Sequence, residues 1–326
     1  MFKLSFIRRL YGRLTDKVGY ALVAGVLALS PLHATAADDH RALIVTDSLR
    51  PPYQLFISEI KKQLASRGQQ PVHIRVVEIA DWRAETSEAY PLSLTLGNNS
   101  ALTLSQHRLS RPVIYGLLPS ANYHQAIGST PHCGEGRCSA VFIDQPLTRT
   151  LALTRLALPR IKTLGLLTGP DSTNAIEPLR TLAATQGLRV EHQPVMDPDN
   201  LVFDLTTVLK KSEALLSLPD AHIYSRHSAQ NILLTAYRYR KPVIGYSAAF
   251  VKAGALFAVY STPAQLSRQT AEMMRAFFFG GTPQLPPAQY PRYYTVSVNH
   301  MVAKSLGIQM QNEAILQEQL EAARHE

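Results

Sequence analysis

Short apolar runs alternate with amphipathic stretches along most of this chain, and few folds accommodate that pattern. Residues 42–46 (ALIVT) form the first apolar run, and the following residues 53–66 place Phe56, Ile60 and Leu64 on one helical face. The pattern restarts with the run at residues 161–168 (IKTLGLLT). Strands that alternate with helices form parallel sheets covered on both faces. We therefore predict an α/β fold of two doubly wound parallel-sheet lobes, for which 326 residues are long enough.

The remaining elements follow the same alternation. Further strands are predicted at residues 72–79, 92–96, 112–117, 140–143, 188–193, 214–218 and 242–246. Further helices are predicted at residues 146–158, 174–186, 204–211 and 228–240. The two runs of strands and helices meet near residues 144–158, which is where the sequence predicts the boundary between the lobes.

The N-terminus has the three parts of a secretory signal peptide. Its basic residues end at Lys17, an apolar run covers residues 18–29, and Ala34-Thr35-Ala36 is a small-x-small cleavage site. The apolar run is shorter than the roughly 20 residues that span a bilayer. We therefore predict that residues 1–36 direct export to the periplasm and are cleaved near Ala36, with retention as an uncleaved anchor as the alternative.

The net charge of +9 does not indicate a nucleic-acid partner. Part of it lies in the predicted signal peptide, and the rest of the chain shows no dense basic stripe of the kind that follows a phosphate backbone. We expect a monomer whose positive charge is mostly solvated surface.

The two cysteines, Cys133 and Cys138, enclose a turn-forming loop of four residues. In an oxidising compartment a local disulfide is the default outcome for such a pair. The alternative is a metal site that uses His132 together with both thiolates, but this cluster lacks a fourth ligand and the usual C-x-x-C spacing. The sequence therefore predicts a disulfide and no metal site.

Small polar residues follow several of the predicted strands. In open α/β sheets, ligands bind beyond the carboxyl ends of the strands. The same residue types also cap the helices that follow, so each of them has a structural alternative. The candidate ligand-binding residues are Asp47, Ser48, Asn98, Asn99, Ser120, Asp171, Ser172, Ser217, Asp220, Tyr246 and Ser247.

No catalytic motif is complete in this sequence. The segment Gly245-Tyr246-Ser247-Ala248-Ala249 is similar to the G-x-S-x-G nucleophile elbow, but its last position is Ala. A hydrolase also needs an acid and then a histidine downstream of the serine. The only acid between Ser247 and His300 is Glu272, which lies on a predicted amphipathic helix. The phosphate-binding glycine patterns and H-E-x-x-H are absent. We therefore expect a binding protein that is not an enzyme and holds no cofactor.

Residues 140–310 resemble a known family in order and spacing. The matching stretches are Asp144-Gln145-Pro146, residues 162–172 (KTLGLLTGPDS), 216–220, 241–247 (KPVIGYS), 251–256 (VKAGAL), 298–299 and 303–308. This half of the chain is similar to ABC transporter substrate-binding proteins related to tryptophan and tyrosine transport, which have the type I periplasmic binding-protein fold. Residues 47–52 and 117–124 depart from the family's pattern, so the resemblance does not extend to the identity of the ligand.

The resemblance implies two lobes joined by three crossings, with the ligand between them. We expect the crossings near residues 143–146, 252–258 and 287–296 and a helix at 262–280 that returns to the first lobe. The implied organisation is a signal peptide at 1–36, lobe one at 37–143 plus 259–286, lobe two at 144–258 plus 287–310, and a helical tail at 311–326.

The resemblance also implies a function. It indicates an exported protein that captures a small molecule between its lobes and delivers it to an inner-membrane ABC permease. The alternative is a periplasmic sensor or accessory protein of the same fold, which signals to a membrane partner instead of feeding a permease. The extra residues 311–326 favour keeping this alternative.

Overall fold

The computed structural model describes residues 40–65, 71–128, 130, 133–134, 136–225 and 227–323. The predicted signal peptide at residues 1–36 lies outside the described residues, and so do the last three residues of the predicted tail. Within the described part of the chain, no helix is both long enough and apolar enough to cross a membrane.

The first half of the chain forms a five-stranded parallel sheet, which we call lobe one. Its strand order is β2-β1-β3-β4-β5, so the chain moves outward from β1 in both directions. The elements in chain order are β1 (Arg41–Thr46), α1 (Tyr53–Leu64), β2 (His73–Glu78), α2 (Ala84–Glu88), β3 (Leu92–Leu96), α3 (Asn98–Ser105), β4 (Val113–Gly116), α4 (Ser120–Ala126) and β5 (Cys138–Val141), with a 3-10 helix at Ile79–Asp81.

The second half forms a six-stranded sheet, which we call lobe two, in the order β11-β10-β9-β8-β6-β7. All neighbours are parallel except β10 and β11, which pair antiparallel at the edge. The elements of the second half in chain order are α5 (Leu147–Ala157), β6 (Thr163–Thr168), α6 (Ile176–Thr185), β7 (Arg189–Pro194), α7 (Leu201–Lys211), β8 (Ala214–Leu216), α8 (Ser228–Arg238), β9 (Val243–Gly245), α9 (Ala248–Ala253), β10 (Phe257–Tyr260), α10 (Pro263–Phe279), β11 (Thr295–Val298), α11 (His300–Leu306) and α12 (Glu313–Ala322). Of these, α10 packs on α1 and belongs to lobe one. Two 3-10 helices lie at Thr173–Ala175 and Pro198–Asn200.

Burial explains why the strands are continuous apolar runs. In β1, Ala42 and Ile44 pack against helices on one face of the sheet, while Leu43 and Val45 pack on the other, and all four are fully buried. A strand covered on both faces needs apolar side chains at consecutive positions, not at alternate ones. The predicted α/β class with two parallel-sheet lobes is therefore confirmed, with one antiparallel edge strand that the sequence analysis did not include.

The second crossing between the lobes lies later in the chain than the sequence predicted. Residues 257–260 form β10, which pairs with β9 and β11 of lobe two. The crossing therefore occurs at residues 261–262, immediately before α10 packs on α1 of lobe one. The predicted crossing at 252–258 and the lobe boundary at 258/259 are wrong, because the resemblance gave the order of the segments without their pairing.

The start of α7 and the packing of α12 also differ from the predictions. Helix α7 begins at Leu201 instead of residue 204, since Asp197 accepts a hydrogen bond from the Asp199 amide (3.0 Å) and so caps the preceding turn. Helix α12 is not a separate tail. Its Leu316 and Leu320 are buried in the core of lobe two, where the helix packs on α5 and β11.

Cys133 and Cys138 form the predicted disulfide, at the start of β5. The pairing uses both sulfur atoms, which leaves no thiolate for the metal alternative, and His132 of that alternative lies outside the described residues. A bond that closes so short a loop restricts the unfolded chain only modestly, by about 2 kcal/mol on the chain-entropy estimate.

We expect neither cysteine to react with a thiol reagent in the unfolded, non-reduced protein, because the chain has only these two and they are paired. After reduction, two thiols should react, and the melting temperature should fall by a few degrees. Mass spectrometry after alkylation with and without reductant measures both states. Two reactive thiols in non-reduced protein exported to an oxidising compartment would contradict the pairing.

Candidate functional site

A cavity of about 590 Å³ lies between the two lobes, at the carboxyl ends of the strands. We call it the interlobe cleft. Its lining residues come from lobe one (119–121 and 124), from the three crossings (143–145, 261 and 290) and from lobe two (147, 150, 171–172, 174–175, 178, 217–219, 245–247 and 259–260). A volume of this size is typical of a small-molecule site.

The structure brings six of the eleven candidate residues together in this cleft. They are Ser120 from lobe one and Asp171, Ser172, Ser217, Tyr246 and Ser247 from lobe two. All six lie within four residues after the end of a strand, so the rule that ligands bind at the carboxyl ends of strands located them. That these residues contact a ligand remains a prediction.

Asp47, Ser48, Asn98 and Asn99 do not line the cleft. Asp47 instead caps α3, because its carboxylate accepts hydrogen bonds from the amides of Asn99 (3.0 Å) and Ser100 (2.6 Å). Gly97 precedes this helix with a φ of +110°, and a Cβ on it would overlap the Asp47 carboxylate. The structure therefore supports the capping alternative for this strand end.

Asp220 is buried beneath the cleft and does not line it. Its side chain is 4% exposed and accepts hydrogen bonds from the Gly169 amide (3.0 Å), the Ser172 hydroxyl (2.7 Å) and the His222 amide (3.0 Å). These bonds join the loops that follow β6 and β8. Asp220 thus holds Ser172 in place, whereas the exposed Asp171 accepts one longer bond, from the Ala221 amide (3.3 Å).

Asp144 connects the first crossing to lobe one. Its carboxylate accepts hydrogen bonds from both the amide (2.7 Å) and the hydroxyl (2.6 Å) of Ser120, at the start of α4. The Tyr290 hydroxyl donates to the same Ser120 hydroxyl at 3.2 Å. Burial raises the pKa of Asp144, while the bonds from Ser120 and the nearby His124 act in the opposite direction.

Two aromatic residues of lobe two, Tyr246 and Tyr260, line the cleft. The Tyr246 ring stacks on Phe250, with centroids 5.3 Å apart and an interplanar angle of 23°, and it contacts Tyr224 edge-on. Burial raises the pKa of Tyr246 and of the more deeply buried Tyr224, so both keep their protons at neutral pH. The Ser247 hydroxyl accepts from the Phe250 amide at 3.2 Å, which makes Ser247 the N-cap of α9.

The three crossings are joined by hydrogen bonds. The Gln145 amide group donates to the Ser261 hydroxyl (2.9 Å), which donates in turn to the Tyr293 carbonyl (2.6 Å). Arg149 donates to the Gln145 side chain (2.5 Å) and to the Pro291 carbonyl (2.9 Å). Because Gln145 and Ser261 also line the cleft, the hinge and the cavity share residues.

Eight polar or aromatic residues of the cleft were not among the sequence candidates. They are His124, Asp144, Gln145, Thr150, Asn174, Tyr260, Ser261 and Tyr290. Asp144 and Gln145 belong to a stretch that carries the family resemblance. From that stretch the sequence predicts a crossing but no ligand-binding residue. Tyr290 lies 166 or more residues after the lining positions of lobe one and has no local signal that places it in the cleft.

Two α/β lobes, three crossings and a cleft of this size define a binding protein of the type I periplasmic binding-protein fold. The chain belongs to the ABC transporter substrate binding protein family, whose model matches residues 87–322. Members of this family bind substrates and do not transform them, act typically outside the cytoplasm, and work with ABC permeases. No curated protein matches the chain.

Solved structures show the same fold at low identity. The ABC domain in complex with L-Trp from Streptococcus pneumoniae is 20% identical, with a TM-score of 0.61 over 85% of this chain and 97% of the other. The ligand-free, open structure of CD0873, a substrate binding protein with adhesive properties from Clostridium difficile, is 16% identical with a TM-score of 0.66, covering 83% and 96%. A periplasmic ribose ABC transporter protein from Conexibacter woesei is 14% identical with a TM-score of 0.53, covering 82% and 95%.

Proposed function

We propose that this protein is exported to the periplasm, captures a small molecule in the interlobe cleft and delivers it to an inner-membrane ABC permease. The observation that carries the proposal is the 590 Å³ cavity lined by both lobes and by all three crossings. A ligand that contacts both lobes favours the closed arrangement of a hinge of this kind. A permease can then distinguish ligand-loaded protein from empty protein by the closed arrangement of the two lobes. The signal-peptide-like residues 1–36 support export, with cleavage near Ala36.

The sensor alternative has less support than the transport role. One reason for considering it was an extra C-terminal segment, and α12 in that segment packs into the core of lobe two as part of the fold. Genes for a permease and an ATPase beside this one would favour transport, and a receptor kinase gene would favour sensing.

We expect residues 37–326 to be stabilised by a ligand of the cleft in thermal unfolding. The panel contains amino acids, nucleosides, sugars, organic cations and organic acids, and it includes L-Trp because the Streptococcus pneumoniae structure holds it. A ligand present at about 100 times its dissociation constant adds roughly 2.7 kcal/mol, enough to raise the melting temperature by several degrees.

A matched pair of tryptophan variants tests whether the stabilisation arises in the cleft. Asn174 is exposed and lines the cleft, so Asn174→Trp fills part of the cavity, whereas Ala184→Trp adds the same ring to the solvent face of α6. Asn174→Trp should abolish the shift and Ala184→Trp should keep it. A shift that survives Asn174→Trp, or its absence across the whole panel, would contradict solute capture in this cleft.

A further inference from the structure

The interlobe cleft has a charge of opposite sign to that of the chain. Lys and Arg outnumber Asp and Glu by 33 to 24, yet the described residues that line the cleft include two carboxylates, Asp144 and Asp171, and neither Lys nor Arg. Arg149 lies next to the cleft, but it donates to Gln145 and to the Pro291 carbonyl, and its guanidinium covers the Tyr294 ring at 4.1 Å. Among the described side chains that line the cleft, the one nitrogen base is His124.

Several backbone amides at these strand ends are already used by the protein. The amide of Ser120 donates to Asp144, that of Gly169 to Asp220, that of Ala221 to Asp171 and that of Phe250 to Ser247. Amides in such positions are the usual donors to a carboxylate or phosphate of a ligand. An anionic group in this cleft would therefore meet two carboxylates, and the four amides named here would not be available to it because they already have acceptors.

Aromatic rings supply the other half of a cation site. Tyr246, Tyr260 and Tyr290 all line the cleft. Tyr246 is held by its stack on Phe250, and the hydroxyls of Tyr260 and Tyr290 are bonded to Ser297 (2.9 Å) and Ser120 (3.2 Å). Rings fixed in this way attract an ammonium group through their faces, most strongly where water is excluded.

We propose that the ligand of the interlobe cleft is an organic cation: an ammonium group on an apolar or aromatic body, without a carboxylate. This inference rests on the proposed function and adds the substrate class. The ammonium group lies against Asp144 and Asp171, which belong to the first crossing and to lobe two, and the body packs on the tyrosine rings. Binding of the cation therefore bridges lobe two and the first crossing, which is itself bonded to Ser120 of lobe one through Asp144.

The test is calorimetric titration with probes that share one body and differ in charge. Phenethylamine is the cation, 3-phenylpropionate the anion and L-phenylalanine the zwitterion, and choline is a second cation. We expect at least one cation to bind ten-fold or more tightly than the zwitterion, and the anion to give no measurable binding. Asp171→Asn should weaken cation binding about ten-fold or more. The exposed Asp199, which does not line the cleft, provides the matched control Asp199→Asn, which should leave the affinity unchanged.

The ring contribution is tested at Tyr246. Tyr246→Phe keeps the face of the ring and should leave cation affinity within about two-fold, whereas Tyr246→Leu should weaken it several-fold. Equal losses in the two variants would show that the hydroxyl acts instead of the ring and would overturn that part of the proposal.

The outcomes separate this inference from the proposed function. Binding of 3-phenylpropionate as tight as that of a cation, or no binding of any cation, overturns the organic-cation class. If another panel compound then stabilises the protein and loses its effect in Asn174→Trp, solute capture still stands. If no compound does so, both proposals fail.

Discussion

Replacing Asp220 by alanine should lower the melting temperature of the ligand-free protein by about 10 °C, corresponding to a loss of roughly 3–5 kcal/mol of unfolding free energy. The carboxylate is buried and is the acceptor for two amides and one hydroxyl, so its removal leaves the Gly169 amide, the Ser172 hydroxyl and the His222 amide without this partner. An unsatisfied buried donor costs about 1–3 kcal/mol. Circular dichroism during heating measures the loss.

Asp171→Ala is the matched control for this prediction. Asp171 carries the same functional group two residues after Gly169, but it is exposed and accepts a single bond of 3.3 Å. Its replacement should change the melting temperature of the ligand-free protein by no more than about 1 °C. A similar fall in both variants, or no fall in Asp220→Ala, would contradict the separation of a structural from a cleft-lining aspartate.

The contrast between these two residues shows what the sequence could and could not predict. Both were candidates because ligands bind at the carboxyl ends of parallel strands, and the structure places each of them after the carboxyl end of a strand. Which of them faces the cleft depends on how the loops after β6 and β8 fold against each other. That depends on tertiary contacts such as the bond from Ser172 to Asp220, for which the local sequence carries no signal.

The fold was more predictable than the site for a physical reason. A strand buried on both faces needs consecutive apolar residues, and this pattern is visible in β1, β3 and β6 from the residues alone. Segments whose position depends on distant partners were harder to place. Residues 257–260 belong to lobe two because β10 pairs with β9 and with β11, which lies more than thirty residues later.

Half of the polar and aromatic cleft residues missed by the sequence analysis belong to the crossings. Asp144, Gln145 and Tyr290 lie where the chain passes between the lobes, and there neither helical nor strand periodicity applies. A crossing residue contacts the cleft only because three distant segments converge. The pattern along one segment therefore cannot predict this contact. A stretch that matches a known family, such as the one around Asp144, can predict it.

Of the hinge residues, Arg149 is the one that we expect to contribute most to the free energy of unfolding. Its side chain is 8% exposed, donates to Gln145 in the first crossing and to the Pro291 carbonyl in the third, and packs its guanidinium over Tyr294 at 4.1 Å. Alanine at this position removes the donors from the Pro291 carbonyl and the cation from the Tyr294 ring. We expect Arg149→Ala to lower the free energy of unfolding by roughly 3–4 kcal/mol, measured by urea denaturation.

Two further variants show how much of this loss comes from the hinge bonds. Arg149→Met keeps an apolar side chain against Tyr294 but removes every donor, so it should recover part of the loss and leave about 2 kcal/mol. Arg180, which is 46% exposed and paired with Glu177 on α6, is the matched control, and Arg180→Ala should cost less than about 1 kcal/mol because exposed ion pairs contribute little. If Arg149→Met were as stable as the unchanged protein, the hydrogen bonds between the crossings would contribute nothing, and packing alone would hold the hinge. Since Gln145 also lines the cleft, the bond from Arg149 fixes a cleft-lining side chain as well as the crossing. Arg149→Met should therefore weaken binding of a cleft ligand in addition to lowering stability.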